Sequence, residues 1–417
     1  MNQNYTAVLC VVALISLTGC AKDQDRMRYS QTLINSSNNV NVPDWQITSR
    51  EITPDCPVNW SVRKVALAGG KQDGVDIIVI DNGKMHITIC PTRGMGVLHA
   101  ELGDVRLGWD SPVKETVNPN HINLQSRGGL GWLEGFNEFI VRCGLESNGH
   151  PGIDKFVNNV GDESTMELTL HGKVANIPAS EVEVVVERKA PYRIHVRGRV
   201  DERMFYGPKL ELWTDLSTEP GSSAFTITDT LTNRGGAEQE FELLYHINFG
   251  RPILEEGATF AATAQRVTPF NAHAAKGIDS FTQYRGPALG FVEQVYCLTP
   301  IADADGHGLA MIQNRGKDRA VTIAYATDGL PKLTLWKNTN AVEEGYVTGI
   351  EPGTGFPYNR GIERKAGRVP KLAAGASRSF SVKVQVHVGA NEVKVAEGRI
   401  AAVQEGKKMV VDERAPE

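Results

Sequence analysis

Apolar and polar residues alternate with a period of two along most of this chain. The alternation is clearest in residues 181–188, 192–200 and 379–388, where Val, Ile or Phe recurs at every second position or nearly so. Because a β-strand directs successive side chains to opposite faces, this pattern predicts strands with one buried face and one wet face. We therefore expect a chain built mainly of strands.

The stretches between the strands are rich in turn-forming residues. Asn82-Gly83, for example, separates the apolar runs 75–80 and 85–90, an arrangement typical of a tight hairpin. We find no amphipathic helix longer than about three turns. Because no change of composition divides the chain, the sequence predicts one all-β domain over residues 43–395, a large antiparallel β-sandwich. The charged segment 396–417 is predicted to be a tail.

The N-terminus differs from the rest of the chain. Residues 7–17 are almost wholly apolar and lead into Leu17-Thr18-Gly19-Cys20, which resembles the lipid-attachment site of bacterial lipoproteins. The apolar run is too short to span a membrane, and residues 1–20 lack the usual Lys or Arg. We predict a signal peptide over 1–20, a lipid on Cys20 and a polar tether over 21–42. The protein would then be membrane-anchored in an exported compartment, on the periplasmic or cell-surface side.

Composition argues against a nucleic-acid partner and leaves open whether the cysteines form disulfides. The 417 residues carry a net charge of -5, so a basic groove for nucleic acid is not expected. Cys56, Cys90, Cys143 and Cys297 are widely spaced and form no Cys-x-x-Cys pair or zinc-type cluster. They could make two disulfides or remain buried thiols, and the sequence does not choose between these states.

Candidate chemistry concentrates in two stretches. Residues 239–250 begin as a strand and end with His246, followed closely by Asn248 and Phe249. An imidazole can move a proton near neutral pH, an amide can bind hydroxyls, and an aromatic ring can stack on a sugar. In residues 348–354, Glu351 lies between glycines and a proline and is predicted to point inward. We predict that His246 and Glu351 form an acid–base pair that meets across the sandwich.

Three more residues are candidates for contacts with a sugar. Arg93 follows a strand and could fork onto hydroxyls, but an arginine that binds loop carbonyls fits equally well. His171 ends a strand before a glycine, where the alternative is a histidine that caps a turn. Trp132, with Phe136 nearby, could form a platform that stacks on a sugar, although aromatic residues in strand-rich proteins are more often part of the core.

Taken in order, these motifs resemble the aldose 1-epimerase (galactose mutarotase-like) superfamily over about residues 70–390. The nearest match is an uncharacterised branch of that superfamily. The similar segments are Leu170-His171-Gly172, Thr232-Asn233-Arg234-Gly235, Tyr245-His246-Ile247-Asn248-Phe249 and Gly349-Ile350-Glu351-Pro352. The Asn that precedes the superfamily's Arg has no counterpart before Arg93, and neither does a later Asn-Gly-x-Asp-His segment.

The resemblance implies a galactose mutarotase-like supersandwich that interconverts the anomers of a small carbohydrate without a metal or organic cofactor. Glu351, as a carboxylate, would take the proton of the C1 hydroxyl, and His246, as an imidazolium, would protonate the ring oxygen. The substrate-binding candidates are Arg93, His171, Asn248, Trp132, Trp336 and Phe249.

Two other functions remain open on the same fold. One is a carbohydrate-binding lipoprotein without catalytic activity, because a fold does not determine a function. The other is a glycoside hydrolase or lyase, which would need a second carboxylate at a defined separation from the first. Candidates for that carboxylate are Glu134, Glu138, Glu343 and Glu344.

Overall fold

Two large β-sheets pack face to face in the computed structural model, which describes residues 27–416. In chain order the strands are β1 (Arg28–Asn35), β2 (Val40–Asn41), β3 (Trp45–Thr48), β4 (Ser61–Ala66), β5 (Asp76–Asp81), β6 (His86–Cys90), β7 (Gly96–Leu102), β8 (Val105–Leu107), β9 (Ile140–Leu145), β10 (Gly152–Val157), β11 (Glu163–Leu168), β12 (Glu181–Glu187), β13 (Ile194–Arg203), β14 (Lys209–Thr218), β15 (Ala224–Asn233), β16 (Gln239–Glu240), β17 (Glu242–Phe249), β18 (Thr259–Ala262), β19 (Ala264–Pro269), β20 (Gln294–Pro300), β21 (His307–Gln313), β22 (Arg319–Ala326), β23 (Lys332–Thr339), β24 (Tyr346–Gly353), β25 (Lys371–Leu372), β26 (Ser377–Val388) and β27 (Val410–Val411). The α-helices are α1 (Ser49–Ile52), α2 (Ser126–Gly129), α3 (Ala272–Ala275), α4 (Arg360–Lys365) and α5 (Ala390–Gln404).

The first sheet has ten strands in the order β18-β21-β22-β26-β15-β14-β13-β12-β1-β2. The second has thirteen, in the order β27-β19-β20-β23-β24-β17-β9-β7-β6-β5-β4-β3, with β8 paired to β7 beside this path. Neighbouring strands are antiparallel except β27, which joins β19 in parallel. The predicted all-β sandwich is confirmed, and so is the hairpin of β5 and β6 around Asn82-Gly83.

The main core lies between the two sheets. The apolar positions that alternate along the sequence point into it, as Val182, Val184 and Val186 of β12 do. A smaller apolar cluster covers the outer face of the second sheet and includes Trp132 and Val141. The candidate site lies on this outer face.

The predicted tether over residues 21–42 is wrong where the structure describes it. Arg28–Asn35 forms β1, which pairs with β12 and satisfies its backbone hydrogen bonds there. Leu33 is fully buried, and Tyr29 and Ile34 pack against the core, so a few apolar residues suffice to dock an otherwise polar strand. The predicted signal peptide and Cys20 lie outside the described residues.

The C-terminal segment is also more ordered than the sequence suggests. Helix α5 has 15 residues, about four turns, and buries Val393, Ala396 and Ile400 against the first sheet. Only three side chains form the buried apolar stripe of this helix. So few apolar positions explain why the sequence did not predict a helix of this length. Beyond it, β27 pairs with β19, and Asp412 binds Arg266 at 2.7 Å. No helix within residues 27–416 has the length and apolar character of a membrane span.

The four cysteines within residues 27–416 are unpaired, in agreement with the free-thiol alternative. Cys90, Cys143 and Cys297 are buried, and Cys56 is half-buried. Burial raises the pKa of the Cys90 thiol to about 12, so this thiol is not a reactive thiolate near neutral pH.

A buried ionic cluster links the two sheets through the main core. The guanidinium of Arg142 on β9 donates to both carboxylate oxygens of Asp229 on β15. The hydroxyl of Tyr245 on β17 donates to the same carboxylate at 2.7 Å. Arg142 also donates to the carbonyl of Met95 at 3.0 Å. Because all three side chains are almost fully buried, each depends on the others for its polar partners.

Candidate functional site

Strand register brings His246 and Glu351 together. Ile247 pairs with Ile350 and Leu244 with Gly353, which puts His246 on β17 directly opposite Glu351 on β24. Both side chains project from the outer face of the second sheet, because Ile247 and Ile350 point into the main core. Nε2 of His246 lies 3.2 Å from Oε1 of Glu351. The two residues therefore meet as cross-strand neighbours within one sheet, and not across the sandwich as expected.

Asn248 determines which nitrogen of His246 is available for chemistry. The Nδ2 of Asn248 donates to the carbonyls of Glu138 at 3.0 Å and of His246 at 3.2 Å. The amide oxygen must therefore face the imidazole, and Nδ1–H of His246 donates to it at 2.6 Å. Nε2 is left facing Glu351. Asn248 holds the histidine tautomer, and its amide is already occupied and not free to bind a sugar as predicted.

His171 stands beside this pair, with ring centroids of the two histidines 5.4 Å apart. Its Nδ1–H donates to the carbonyl of Asn148 at 2.8 Å, so its Nε2 is an acceptor. Its backbone has a φ of 58°, an unusual value for a residue with a side chain. Burial lowers the pKa of His171 to about 4, and the neutral imidazole can accept a hydrogen bond from a hydroxyl.

Aromatic side chains surround His246 on three sides. The ring centroids of Phe136, Trp336 and Trp132 lie 5.2, 5.4 and 5.9 Å from that of the imidazole. Trp132 is 1% exposed, whereas Trp336 is half-buried. The indole Nε1–H of Trp132 has no hydrogen-bond partner among the described residues. A buried donor without a partner is costly, which points to a ligand that supplies the acceptor.

Burial changes the expected protonation of the acid–base pair. It raises the pKa of Glu351 well above its ordinary value, and the negative charge of Glu293 raises it further. It also lowers the pKa of His246 well below its ordinary value, with a smaller contribution from His171. Both shifts favour a neutral carboxyl beside a neutral imidazole over the carboxylate and imidazolium that the sequence suggested, because a buried ion pair is costly.

Glu351 has spare capacity for hydrogen bonding. Although its Oε1 lies 3.2 Å from Nε2 of His246, the contact lacks hydrogen-bond geometry, and this buried oxygen has no hydrogen-bond partner in the described chain. An unsatisfied, buried carboxyl oxygen is expected at a site that a polar ligand completes.

Arg93 does not contribute to the site as predicted. Its guanidinium is 1% exposed and donates to Glu138 at 2.7 Å, to the side chain of Asn176 at 2.7 Å and to the carbonyl of Gly135 at 3.0 Å. With these partners it supports the loop that carries Phe136, and it has no free face for a sugar. This is the alternative in which the arginine serves loop structure.

Phe249 is also placed differently from the prediction. It points into the main core and packs on Phe139, with ring centroids 5.4 Å apart. The alternation of a strand could have shown this, because Phe249 is three residues after His246 and so faces the opposite side. Phe249 cannot stack on a ligand at the outer face.

Several residues of the site are absent from the substrate-binding candidates that the sequence predicts. Phe136 touches His246, and Trp109 packs on Phe136 at 4.8 Å between centroids. Asn148 holds His171, and its own buried amide group has no partner in residues 27–416. Glu293 accepts a hydrogen bond from Trp336 at 2.7 Å. Among these residues, Phe136 is the one that the sequence pattern indicates, because it lies four residues after Trp132 in a glycine-rich stretch.

The other candidate carboxylates do not pair with Glu351. Glu138 is buried against Arg93, and Glu134 accepts from the backbone N–H of Asn123 at 3.2 Å. Glu343 and Glu344 are exposed in a 3-10 turn before β24. The residues described also contain no group of three or more His, Cys, Asp or Glu side chains placed to share a metal ion.

A cleft of about 1070 Å³ lies apart from the histidine pair. It is lined by residues of mixed charge, among them Glu146, Lys173, Glu202 and Arg364. None of the residues that surround His246 lines it. We place the site at His246 because the unsatisfied polar atoms and the aromatic ring cluster are there.

Gly349 provides the space that the Glu351 carboxyl occupies. A Cβ at position 349 would overlap Oε1 of Glu351 and would lie 3.2 Å from Cε1 of His246. Gly349→Ala should displace the carboxyl and lower turnover by roughly 10- to 100-fold while the fold is retained. Gly236→Ala is the matched control, because nothing lies within 4 Å of the added methyl. Equal rates for both variants, measured with equal unfolding midpoints, would contradict the role of Gly349.

Glu242, four residues before His246 on β17, makes stability depend on pH. It is fully buried, and burial raises its pKa from 4.5 to about 8. Between these values the folded protein keeps a proton that the unfolded chain releases, so this group lowers stability as pH rises. Glu242→Gln should therefore match wild type below pH 4.5 and be more stable by roughly 2–5 kcal/mol above pH 8. Urea unfolding at several pH values measures this difference; a constant offset would contradict it.

Comparison with known proteins agrees with the fold. The sequence profile of a family described as a domain of unknown function (DUF4432) matches residues 72–386. A candidate aldose 1-epimerase from Klebsiella pneumoniae is 42% identical and superposes with a TM-score of 0.88. That match covers 94% of this chain and 100% of the other. A search of curated proteins finds no match.

More distant structures share the architecture. A galactose mutarotase-like protein from Clostridium acetobutylicum is 13% identical, with a TM-score of 0.52 and coverage of 84% of this chain and 100% of the other. A candidate aldose 1-epimerase from Escherichia coli is 14% identical, with a TM-score of 0.50 and coverage of 76% and 100%. At such identities the similarity establishes the fold alone.

Proposed function

The chain belongs to the DUF4432 family, a branch of the galactose mutarotase-like superfamily, and from this premise we propose that it interconverts the anomers of a sugar by acid–base catalysis. The observation that carries the proposal is the buried contact of 3.2 Å between His246 and Glu351. Because burial raises the pKa of Glu351 and lowers the pKa of His246, the pair favours holding one proton between them, so one group can donate while the other accepts.

A bound sugar would convert the pair to its reactive form. When the anomeric hydroxyl donates a hydrogen bond to Glu351, the carboxylate is favoured, and the proton passes to Nε2 of His246. Glu351 then takes the C1 hydroxyl proton, and the imidazolium gives its proton to the ring oxygen. The ring opens, the C1–C2 bond rotates, and closure with reversed proton flow yields the other anomer. One proton leaves the sugar and one enters it in each direction.

Neighbouring groups fit the remainder of a sugar. The free Nε2 of His171 accepts from a hydroxyl, and the unpartnered Nε1–H of Trp132 donates to one. Trp336, half-buried at the edge of the aromatic cluster, offers a ring face to the apolar C–H groups. Asn248 fixes the imidazole, so that only Nε2 takes part.

The decisive experiment is exchange NMR on the purified protein with a panel of free aldoses. Faster exchange between α and β anomers than in buffer supports mutarotation. Binding without acceleration for every sugar would instead favour the carbohydrate-binding function. If the protein neither binds free aldoses nor accelerates their exchange, glycosidic substrates should be tested in hydrolase and lyase assays. The predicted lipid anchor at Cys20 would place this activity outside the cytoplasm.

A further inference from the structure

Glu293 lies beside Trp336 at the solvent-exposed side of the proposed site. It directly precedes β20, is exposed to solvent, and its Oε2 accepts a hydrogen bond from Nε1 of Trp336 at 2.7 Å. The ring centroid of Trp336 is 5.4 Å from that of His246. One oxygen of the carboxylate is thus held by Trp336, which belongs to the aromatic cluster around His246. The other oxygen has no hydrogen bond within the described chain.

The charge of Glu293 is not neutralised by the protein. No Lys, Arg or His side chain of residues 27–416 lies within ion-pair distance of it. The negative charge of Glu293 raises the pKa of Glu351 and opposes the lowering of the His150 pKa by burial, so its field reaches the site. The Glu293 carboxylate therefore stands beside the aromatic side chains of the site without a Lys or Arg partner.

We propose that Glu293 is a specificity-determining residue: its carboxylate accepts hydrogen bonds from the hydroxyls of an uncharged sugar and disfavours sugars that carry phosphate, sulfate or carboxylate groups. The inference rests on the proposed function and assigns its substrate class. Hydroxyl donors satisfy the second oxygen of an exposed carboxylate, whereas an anionic substituent meets a like charge that has no ion-pair partner.

Glu293→Gln tests this inference because the amide oxygen of glutamine can still accept from Trp336. We compare glucose with glucose 6-phosphate, and galactose with galacturonic acid. The variant should raise KM for the neutral sugars by ~3- to 10-fold and reduce discrimination against the anionic sugars by a similar factor, with kcat within ~3-fold of wild type. Added salt should weaken the discrimination of wild type more than that of the variant. Glu101→Gln, an exposed carboxylate on β7, is the matched control.

Two results with the Glu293→Gln variant would overturn the inference. One is unchanged discrimination in Glu293→Gln, and the other is loss of kcat by more than ~100-fold, which would make Glu293 a catalytic carboxylate. Direct binding, followed by the fluorescence of the site tryptophans, separates this test from that of mutarotation. If wild type binds neutral sugars without turning them over, the proposed function fails while the charge preference is still measured. If it binds anionic sugars more tightly, the inference fails even when mutarotation is observed.

Discussion

Replacing Glu351 by Gln is expected to lower kcat for anomer interconversion by roughly 10²- to 10⁴-fold, the usual contribution of a general acid–base group. The fold should be unaffected, because burial disfavours the charged carboxylate of Glu351 and glutamine is its neutral equivalent. Sugar affinity should change only a few-fold. Exchange NMR gives the rate, and tryptophan fluorescence gives the affinity. A variant that retains more than a tenth of the wild-type rate would exclude Glu351 as a proton-transfer group.

The partner variant shows whether the two residues act as a unit. His246→Gln should be as inactive as Glu351→Gln, and the double variant should be no worse than either, because removing one member of a proton-sharing pair disables both. The pH dependence follows from the pKa directions. Activity is lost at low pH when the pair takes up a second proton, well below pH 6.5, and at high pH when it releases its only proton. Multiplying losses in the double variant would argue against a shared proton.

Asp229→Ala is expected to have the largest effect on stability, roughly 3–5 kcal/mol. The substitution leaves the buried guanidinium of Arg142 without its counterion and the hydroxyl of Tyr245 without its acceptor. It also removes a link between the two sheets, since Asp229 is on β15 while Arg142 and Tyr245 are on β9 and β17. Urea unfolding with a constant m-value measures the change.

Two variants make this result specific. Asp215→Ala removes a half-exposed carboxylate on β14 that binds His195 at 2.9 Å, and it should cost at most about 1 kcal/mol. The double variant Arg142→Met/Asp229→Leu should recover much of the loss, because apolar side chains leave no unpaired buried charge. A cost for Asp229→Ala no larger than that for Asp215→Ala would show that the buried cluster does not support the fold.

The fold class was readable from the sequence because one face of most strands is wet. Wherever a strand has a wet face, alternation identifies it, as in β12, β13 and β26. β17 and β24 are buried on both faces along their whole length, so alternation says little about them. The edge strand β1 and helix α5 were missed because each docks through only a few apolar side chains.

The residue types of the site were visible in the sequence, but the division of labour among them was not. His246, Glu351, His171, Trp132 and Trp336 do meet at one face. Arg93, Asn248 and Phe249 have side chains of the right chemistry for a sugar. Each of these side chains, however, is already bound to or packed against another residue of the protein. Their partners are Glu138, the imidazole of His246, and Phe139, respectively.

The sequence by itself determined the all-β class, the family resemblance and the two residues that could exchange a proton. Tertiary structure decided the register that puts His246 opposite Glu351, the burial that shifts their pKa values in opposite directions, and the position of Glu293 beside Trp336. The physical reason is that local pattern reports which face of a strand is wet, whereas strand register, burial and charge proximity depend on residues far apart in the chain.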